Sequence, residues 1–274
     1  MPNLISRTLS ALVALAILIS TVYFFAEKGM YACIAFASVR CSYEIARMVF
    51  KAHYPKFATY AFVLINFTTF LLLTLEPTKN FAMFFILLSF VASVVVGILF
   101  HKKFRDLQTI FDYVSQSTFG TIYATVIPAI VTWLVYSQHG MSWFYCLLAV
   151  IFAGDIGAYL FGVTMGKTKV APTLSPKKSL QGAIGGLLFS TLAAYAFSFV
   201  LTDVALPILL ACGFFGGLLG QIGDFFESLI KRVSGVKDSG TIMPGHGGVL
   251  DRIDGVLLAA PLFYFAANYH SLWS

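Results

Sequence analysis

A chain of 274 residues that is 59% apolar and 11% charged, with a mean hydropathy of +0.86, is excluded from the soluble globular class, where about a quarter of residues are charged. So much apolar surface cannot be hidden in one aqueous core, and a bilayer must solvate it. The net charge of +6 is gathered on no basic face or aromatic platform of a soluble module, which excludes nucleic acid as a partner.

A membrane-spanning helix needs about 20 mostly apolar residues. In chain order, such runs occupy residues 8–26, 29–50, 58–75, 81–100, 119–137, 141–162, 182–202, 206–226 and 255–269, nine in all. The first follows Arg7 and resembles a signal peptide, but it has no small-residue cleavage site and equally apolar runs follow, so it is expected to be retained. Arg40, Glu44 and Arg47 interrupt the second; Arg40 and Glu44 stand four apart and can neutralise each other on one helix face. The short ninth run is expected to begin within the polar segment before it. The predicted fold is an all-α polytopic integral membrane protein with about nine transmembrane helices. Cys33, Cys41, Cys146 and Cys212 lie in apolar runs without CxxC spacing, as buried thiols do.

Nine alternating spans leave fifteen Lys and Arg on one side of the membrane and only Lys28 and Lys79 on the other, with Arg40 inside a span. The positive-inside rule places the crowded side and the N-terminus in the cytoplasm, and the C-terminus outside. Removing one middle span would scramble this split, which supports the count of nine. The basic surplus then faces the anionic lipid of the cytoplasmic leaflet.

Asp155, in FAGDIGAYLFG, lies seven residues before Gly162, roughly 10 Å below the surface at about 1.5 Å per residue. Asp224 lies near the cytoplasmic end of the eighth run. Carboxylates at such depth usually mark a functional site. Residues three, four and seven apart share a helix face, so Gly217, Gly220, Asp224, Glu227, Ser228 and Lys231 form one stripe, small and then polar. Small residues let helices approach closely. Packing does not account for the carboxylate, hydroxyl and ammonium stacked above them.

The following segment supplies Lys237 and Asp238, the turn Pro244-Gly245-His246-Gly247-Gly248, and Asp251 with Asp254 one turn apart where the ninth helix would open. Negative charge suits a helix N-terminus, which explains one of these two but hardly both. Asp224 leaving the membrane and Asp251 entering it are expected to meet at one depth. Oxygen ligands without an imidazole or thiolate cluster favour Mg²⁺, which keeps waters and takes substrate phosphates. The Gly-rich turn offers backbone N–H groups to a phosphate, and Lys and Arg neutralise others.

A second polar loop, GKTKVAPTLSPKKSLQGAIGG, places Lys167, Lys169, Lys177 and Lys178 beside Ser175 and Ser179. Residues 162–168 are one residue short of a Walker P-loop and follow a membrane helix, so that motif is rejected. Together these features point to phosphoryl or nucleotidyl transfer at a membrane surface.

With these residues in place, the chain resembles the phosphatidate cytidylyltransferase family, the CDP-diacylglycerol synthases. Their signature runs S-x-apolar-K-R, four residues, K-D, a small residue, then P-x-H-G-G and D-R-apolar-D. Ser228, Lys231, Arg232, Lys237, Asp238, Gly240, Pro244, His246, Gly247, Gly248, Asp251, Arg252 and Asp254 fit it. Met243 replaces the usual Leu, Ile or Phe, a volume-conserving swap, and Ser179 keeps the hydroxyl where Thr is common. The resemblance covers residue 151 onward; the N-terminal half shares only its many-spanning character.

The resemblance implies a Mg²⁺-dependent reaction of CTP with phosphatidate, giving CDP-diacylglycerol and pyrophosphate in phospholipid biosynthesis. By the same resemblance, Asp224, Asp251 and Asp254 are metal ligands. Lys231, Arg232, Ser228, Asp155, Lys237 and Asp238 take catalytic roles, and Ser175, Lys177, Lys178, His246, Gly247, Gly248 and Arg252 bind substrate. Phosphatidate, a phosphomonoester with a second pKa near ~6, arrives largely as a ready nucleophile, so His246 is expected to form the turn or donate to phosphate instead of acting as base. Residues 1–140 would then be N-terminal membrane helices and residues 141–274 catalytic helices with two cytoplasmic loops. A bacterial inner membrane is the expected location, and a homodimer the expected assembly.

Other readings use the same residues. A cytidylyltransferase acting on another lipid phosphate, or a CTP-using lipid kinase, would be told apart by its products, since a kinase releases CDP instead of pyrophosphate. A CDP-alcohol phosphotransferase would need an Ala-Arg pair and later aspartates that are absent after Gly255. A transporter or lipid-binding scaffold would place its acidic residues at the midplane of an inverted repeat, and no such repeat is visible.

Overall fold

The computed structural model describes residues 4–50, 54–75, 78–242 and 247–269. Its helices are α1 (Leu4–Val49), α2 (Lys56–Thr74), α3 (Ala82–Leu99), α4 (Leu107–Thr121), α5 (Ile127–Val135), α6 (Gly140–Met165), α7 (Leu180–Phe197), α8 (Leu206–Ser234) and α9 (Leu250–Tyr269). Among the described residues, seven helical stretches are long and apolar enough to cross a membrane: the C-terminal part of α1, then α2, α3, the run from α4 through α5, α6, α7 and α8. The protein is therefore an all-α polytopic membrane protein. Ala26, at φ 47° and ψ −127°, breaks α1 where the sequence expects the first two spans to part. The expected fifth span begins earlier than its apolar core suggests. Asp106 caps α4, its carboxylate accepting from the Thr109 N–H at 2.8 Å and the Thr109 hydroxyl at 2.6 Å.

The chain divides into two compact units, Met1–Thr132 with Val233–Arg252, and Trp133–Arg232 with Ile253–Ser274. In the first unit, α3 shows how the lipid sorts residues: it buries Ser89, Ser93 and Gly97 and exposes Phe84, Leu87, Val91 and Ile98. The small residues face the neighbouring helices, and the large apolar ones are left to lipid. A cluster built on Phe50, Phe62, Phe104 and Tyr113 forms the core between α1, α2 and α4.

Deeper in the same unit, Asn66 donates to the Ser42 hydroxyl at 3.1 Å and accepts from the Thr121 hydroxyl at 2.7 Å. Between α4 and α5 lies a π-turn, Ile122–Val126. Pro128 has no N–H to offer the Ala124 carbonyl four residues earlier, and the Ser38 hydroxyl donates to it instead, at 2.7 Å.

In the second unit α6 and α7 pack so closely that a Cβ on Gly157 would lie 2.6 Å from the Gly185 carbonyl oxygen and 2.7 Å from the Phe189 side chain. The Ser190 hydroxyl ties the pair further, donating to the Val150 carbonyl at 2.8 Å. His139, just before α6, and Asp203, between α7 and α8, meet at 3.6 Å at one end of this unit. The other end carries a feature absent from the sequence expectation. The lysine-rich loop folds into an antiparallel hairpin, β1 (Lys169–Ala171) and β2 (Ser175–Ser179), joined by a turn in which the Leu174 N–H donates to the Ala171 carbonyl at 3.1 Å. Pro172 supplies the fixed φ that this turn favours, and Ser179 ends β2 by capping α7 through the Gly182 N–H at 3.2 Å.

Candidate active site

The hairpin, α6, α7 and α8 enclose a cavity of about 330 Å³ in the second unit. Asp155 of α6, Asp224 of α8 and Lys177 and Lys178 of β2 supply its charges, while Tyr159 and Phe225 are among its apolar walls. The Lys178 ammonium pairs with the Asp224 carboxylate and sits 4.2 Å from the centre of the Phe225 ring. One turn before Asp224, Gln221 donates to the Ala183 carbonyl at 3.0 Å and fixes α8 against α7. Asp155 is exposed and lines the cavity.

Asp254 joins the same electrostatic group. It lies in the second turn of α9, before the apolar run from residue 255, and Gly223 of α8 gives it room: a Cβ there would strike the Asp254 carbonyl. Burial above all, then the negative charge of Asp224, pushes its carboxyl above the ordinary value. The Gly255 N–H and Lys231 pull it back, and Asp155 adds a further upward push.

Farther along α8, Lys231 pairs with Glu227, which is 1% exposed, so the stripe is internally neutralised at that level. Ser228 is half-buried and Arg232 exposed. The Arg232 Nε donates to the Leu174 carbonyl at the tip of the hairpin at 3.4 Å. Ser175 begins β2, half-buried, and Lys177 is exposed beside Lys178.

The remaining predicted residues belong to the first unit. Lys237 and Asp238 are exposed after the end of α8, and Arg252 is exposed on α9. Asp251 lies in the first turn of α9, as expected, and one of its oxygens accepts three hydrogen bonds. They come from the Ser239 N–H at 2.9 Å, the Ser239 hydroxyl at 2.9 Å and the Gly248 N–H at 2.8 Å. Gly247 takes φ 82°, a left-handed conformation natural to glycine. His246 lies outside the described residues.

Sequence reasoning missed Ser239, Gln221 and the role of Glu44. Glu44 was visible as a carboxylate inside an apolar run, and its pairing with Arg40 at 3.4 Å is as expected. Its other partners lie about two hundred residues away, beyond any local pattern.

Among the described residues, no group of three or more His, Cys, Asp and Glu is arranged as a metal cage. The donor set around Asp224 instead fits a hard cation that takes one or two carboxylates and completes its shell with waters or substrate oxygens.

Fold and site together define a polytopic membrane protein with a carboxylate- and lysine-lined cavity. The chain belongs to the cytidylyltransferase family, whose defining pattern matches residues 5–270. It is similar to the phosphatidate cytidylyltransferase of Bacillus subtilis (strain 168), 42% identical over 132 residues, which are 47% of this chain and 48% of that protein. The phosphatidate cytidylyltransferase of Thermotoga maritima is 33% identical over 217 residues, 70% of this chain and 80% of the relative. That of Mycobacterium tuberculosis (strain H37Rv) is 36% identical over 147 residues, 54% and 45% of the two chains. The chain thus spans about half the length of the first and third of these relatives.

Proposed function

We propose that this chain is a phosphatidate cytidylyltransferase, joining CTP to phosphatidate with release of pyrophosphate. One observation carries the proposal: a single cavity in which two carboxylates, two lysines and apolar walls converge. A polyanionic nucleotide and a lipid phosphate need cations for charge and apolar surface for the lipid, and such a wall offers both. Family membership and the printed names of the relatives support the same activity.

In the reaction a phosphate oxygen of phosphatidate attacks the α-phosphorus of CTP, and the bond to the pyrophosphate oxygen breaks. The lipid phosphate is already largely ionised, so positioning and charge neutralisation are the protein's main tasks. Lys177 and Lys178 draw the phosphates against β2, with Ser175 beside them. Lys178 exchanges Asp224 for phosphate as substrate enters. Lys231, steadied by Glu227, and Arg232, held at the hairpin tip, add positive charge along α8. Ser228, Lys237, Asp238, Gly247, Gly248, His246 and Arg252 complete the signature in supporting roles.

Asp224 and Asp254, with Asp155, would hold Mg²⁺, and Asp251 belongs to the same assignment. Bound there, the ion supplies neutralisation of phosphate charge and a template for in-line displacement. About nine spans, a cytoplasmic N-terminus and an active site facing the cytoplasm of a bacterial inner membrane follow from the distribution of Lys and Arg, and a homodimer belongs to the same reading.

The test is an assay of membranes carrying the protein with CTP, phosphatidate and a Mg²⁺ titration, analysing both products. CDP-diacylglycerol with pyrophosphate is expected. Release of CDP would instead mark a kinase, and no turnover with any lipid phosphate would refute the proposal.

A further inference from the structure

We propose that Glu44 is a positioning residue for the reaction, clamping the signature segment that carries Asp251 and starts α9. This rests on the cytidylyltransferase reading above. Glu44 is 1% exposed and stands five residues before the end of α1, in a stretch otherwise apolar enough to span a membrane. A buried carboxylate there is expensive unless it is fully engaged.

Its engagement is with a segment some two hundred residues away. One oxygen accepts from the Val249 N–H at 3.1 Å and from Arg40 at 3.4 Å. The other accepts from the Leu250 N–H at 3.0 Å and lies 3.1 Å from the Ser239 hydroxyl, whose single proton it shares with Asp251. Val249 and Leu250 open α9, so Glu44 satisfies N–H groups that a helix start leaves without intrahelical partners.

The Ser239 hydroxyl lies within reach of both Glu44 and Asp251, and so links the clamp directly to a proposed metal ligand. The glycines of the signature are shaped around this carboxylate as well. A Cβ on Gly240 would lie 2.7 Å from one Glu44 oxygen, and a Cβ on Gly248 would collide with the other oxygen and with the Ser239 hydroxyl. The sequence therefore reserves space for Glu44 at two signature positions, beyond what a turn requires. Arg40 alone would neutralise its charge; the three additional contacts, from Val249, Leu250 and Ser239, fix where α9 begins, and with it Asp251.

The test compares wild type with Glu44→Gln, Glu44→Asp and Ser239→Ala as monodisperse protein in detergent, so that lost folding is not counted as lost catalysis. Glu44→Gln keeps the volume but turns an amide donor toward N–H groups. Two readouts are taken: hydrogen exchange over residues 239–250, and turnover per folded molecule with the Mg²⁺ concentration for half-saturation. Faster exchange confined to that segment, with turnover down about tenfold or more and the Mg²⁺ requirement raised, is expected, because small misplacements of reacting groups cost on the order of 10²-fold. Glu44→Asp, still a carboxylate, should recover part of both. Unchanged exchange in Glu44→Gln would overturn the clamp, and faster exchange with wild-type turnover and Mg²⁺ dependence would overturn its positioning role. Wild-type protein that makes no CDP-diacylglycerol would overturn the functional reading instead, with the exchange data still deciding whether Glu44 holds the segment.

Discussion

Replacing Lys178 with Met separates catalysis from stability at one side chain. The Lys178 and Asp224 side chains are 29% and 40% exposed, so water screens their ion pair, and such pairs contribute at most about 1 kcal/mol. The ammonium over the Phe225 ring adds about 0.5–1 kcal/mol. Met retains much of the apolar stem, and Asp224, left without Lys178, can still be hydrated. Lys178→Met should therefore destabilise the protein by no more than about 1–2 kcal/mol, a small shift in a detergent melt. Catalysis should suffer far more. A positioned cation facing a phosphate that gains charge in the transition state acts as an oxyanion donor does, and losing one costs about 10²–10³-fold, or about 2.7–4 kcal/mol. The assay is CDP-diacylglycerol formation per folded molecule, beside the melt. Turnover lowered less than about threefold, or a melting shift large enough to account for the lost activity, would refute the assignment of Lys178 to the phosphates.

Asp224→Asn should abolish turnover and its response to added Mg²⁺ while leaving the protein monodisperse, and removal of Mg²⁺ with a chelator should stop the wild type reversibly; activity in the chelated enzyme would remove the metal from the proposal. Gly157→Leu should strongly reduce folded protein, since its side chain meets the Gly185 carbonyl and Phe189, as assayed by size-exclusion yield. Gly235→Ala is the contrasting case: nothing lies within 4 Å of its Cβ, and only the φ of 72° opposes it, at about 1–2 kcal/mol. On a background without native cysteines, Lys103→Cys should react with an impermeant thiol reagent only from the cytoplasm and Asp203→Cys only from outside. The reverse pattern would overturn the proposed orientation.

Local order was legible in the chain wherever one helix face or one cap decides it. The apolar runs locate the spanning helices because a bilayer rewards length and composition, which are properties of contiguous residues. The i, i+3, i+4 stripe on α8 and the acidic start of α9 follow from helix geometry in the same way. The hairpin at residues 169–179 was not legible: three lysines and two prolines disguise strands this short, and only pairing between them makes the segment a sheet.

The signature residues, their order and the chemistry they resemble were therefore determined by sequence alone, because each motif is compact along the chain. Tertiary structure decided their partners. Lys178 finds Asp224 across two elements, and burial beside Asp224 raises the carboxyl of Asp254. Glu44, apparently matched with Arg40 four residues away, also takes hydrogen bonds from Ser239, Val249 and Leu250. A carboxylate has more acceptor capacity than one local neighbour can fill, and in a membrane protein the unfilled capacity must be met by whatever the fold brings alongside.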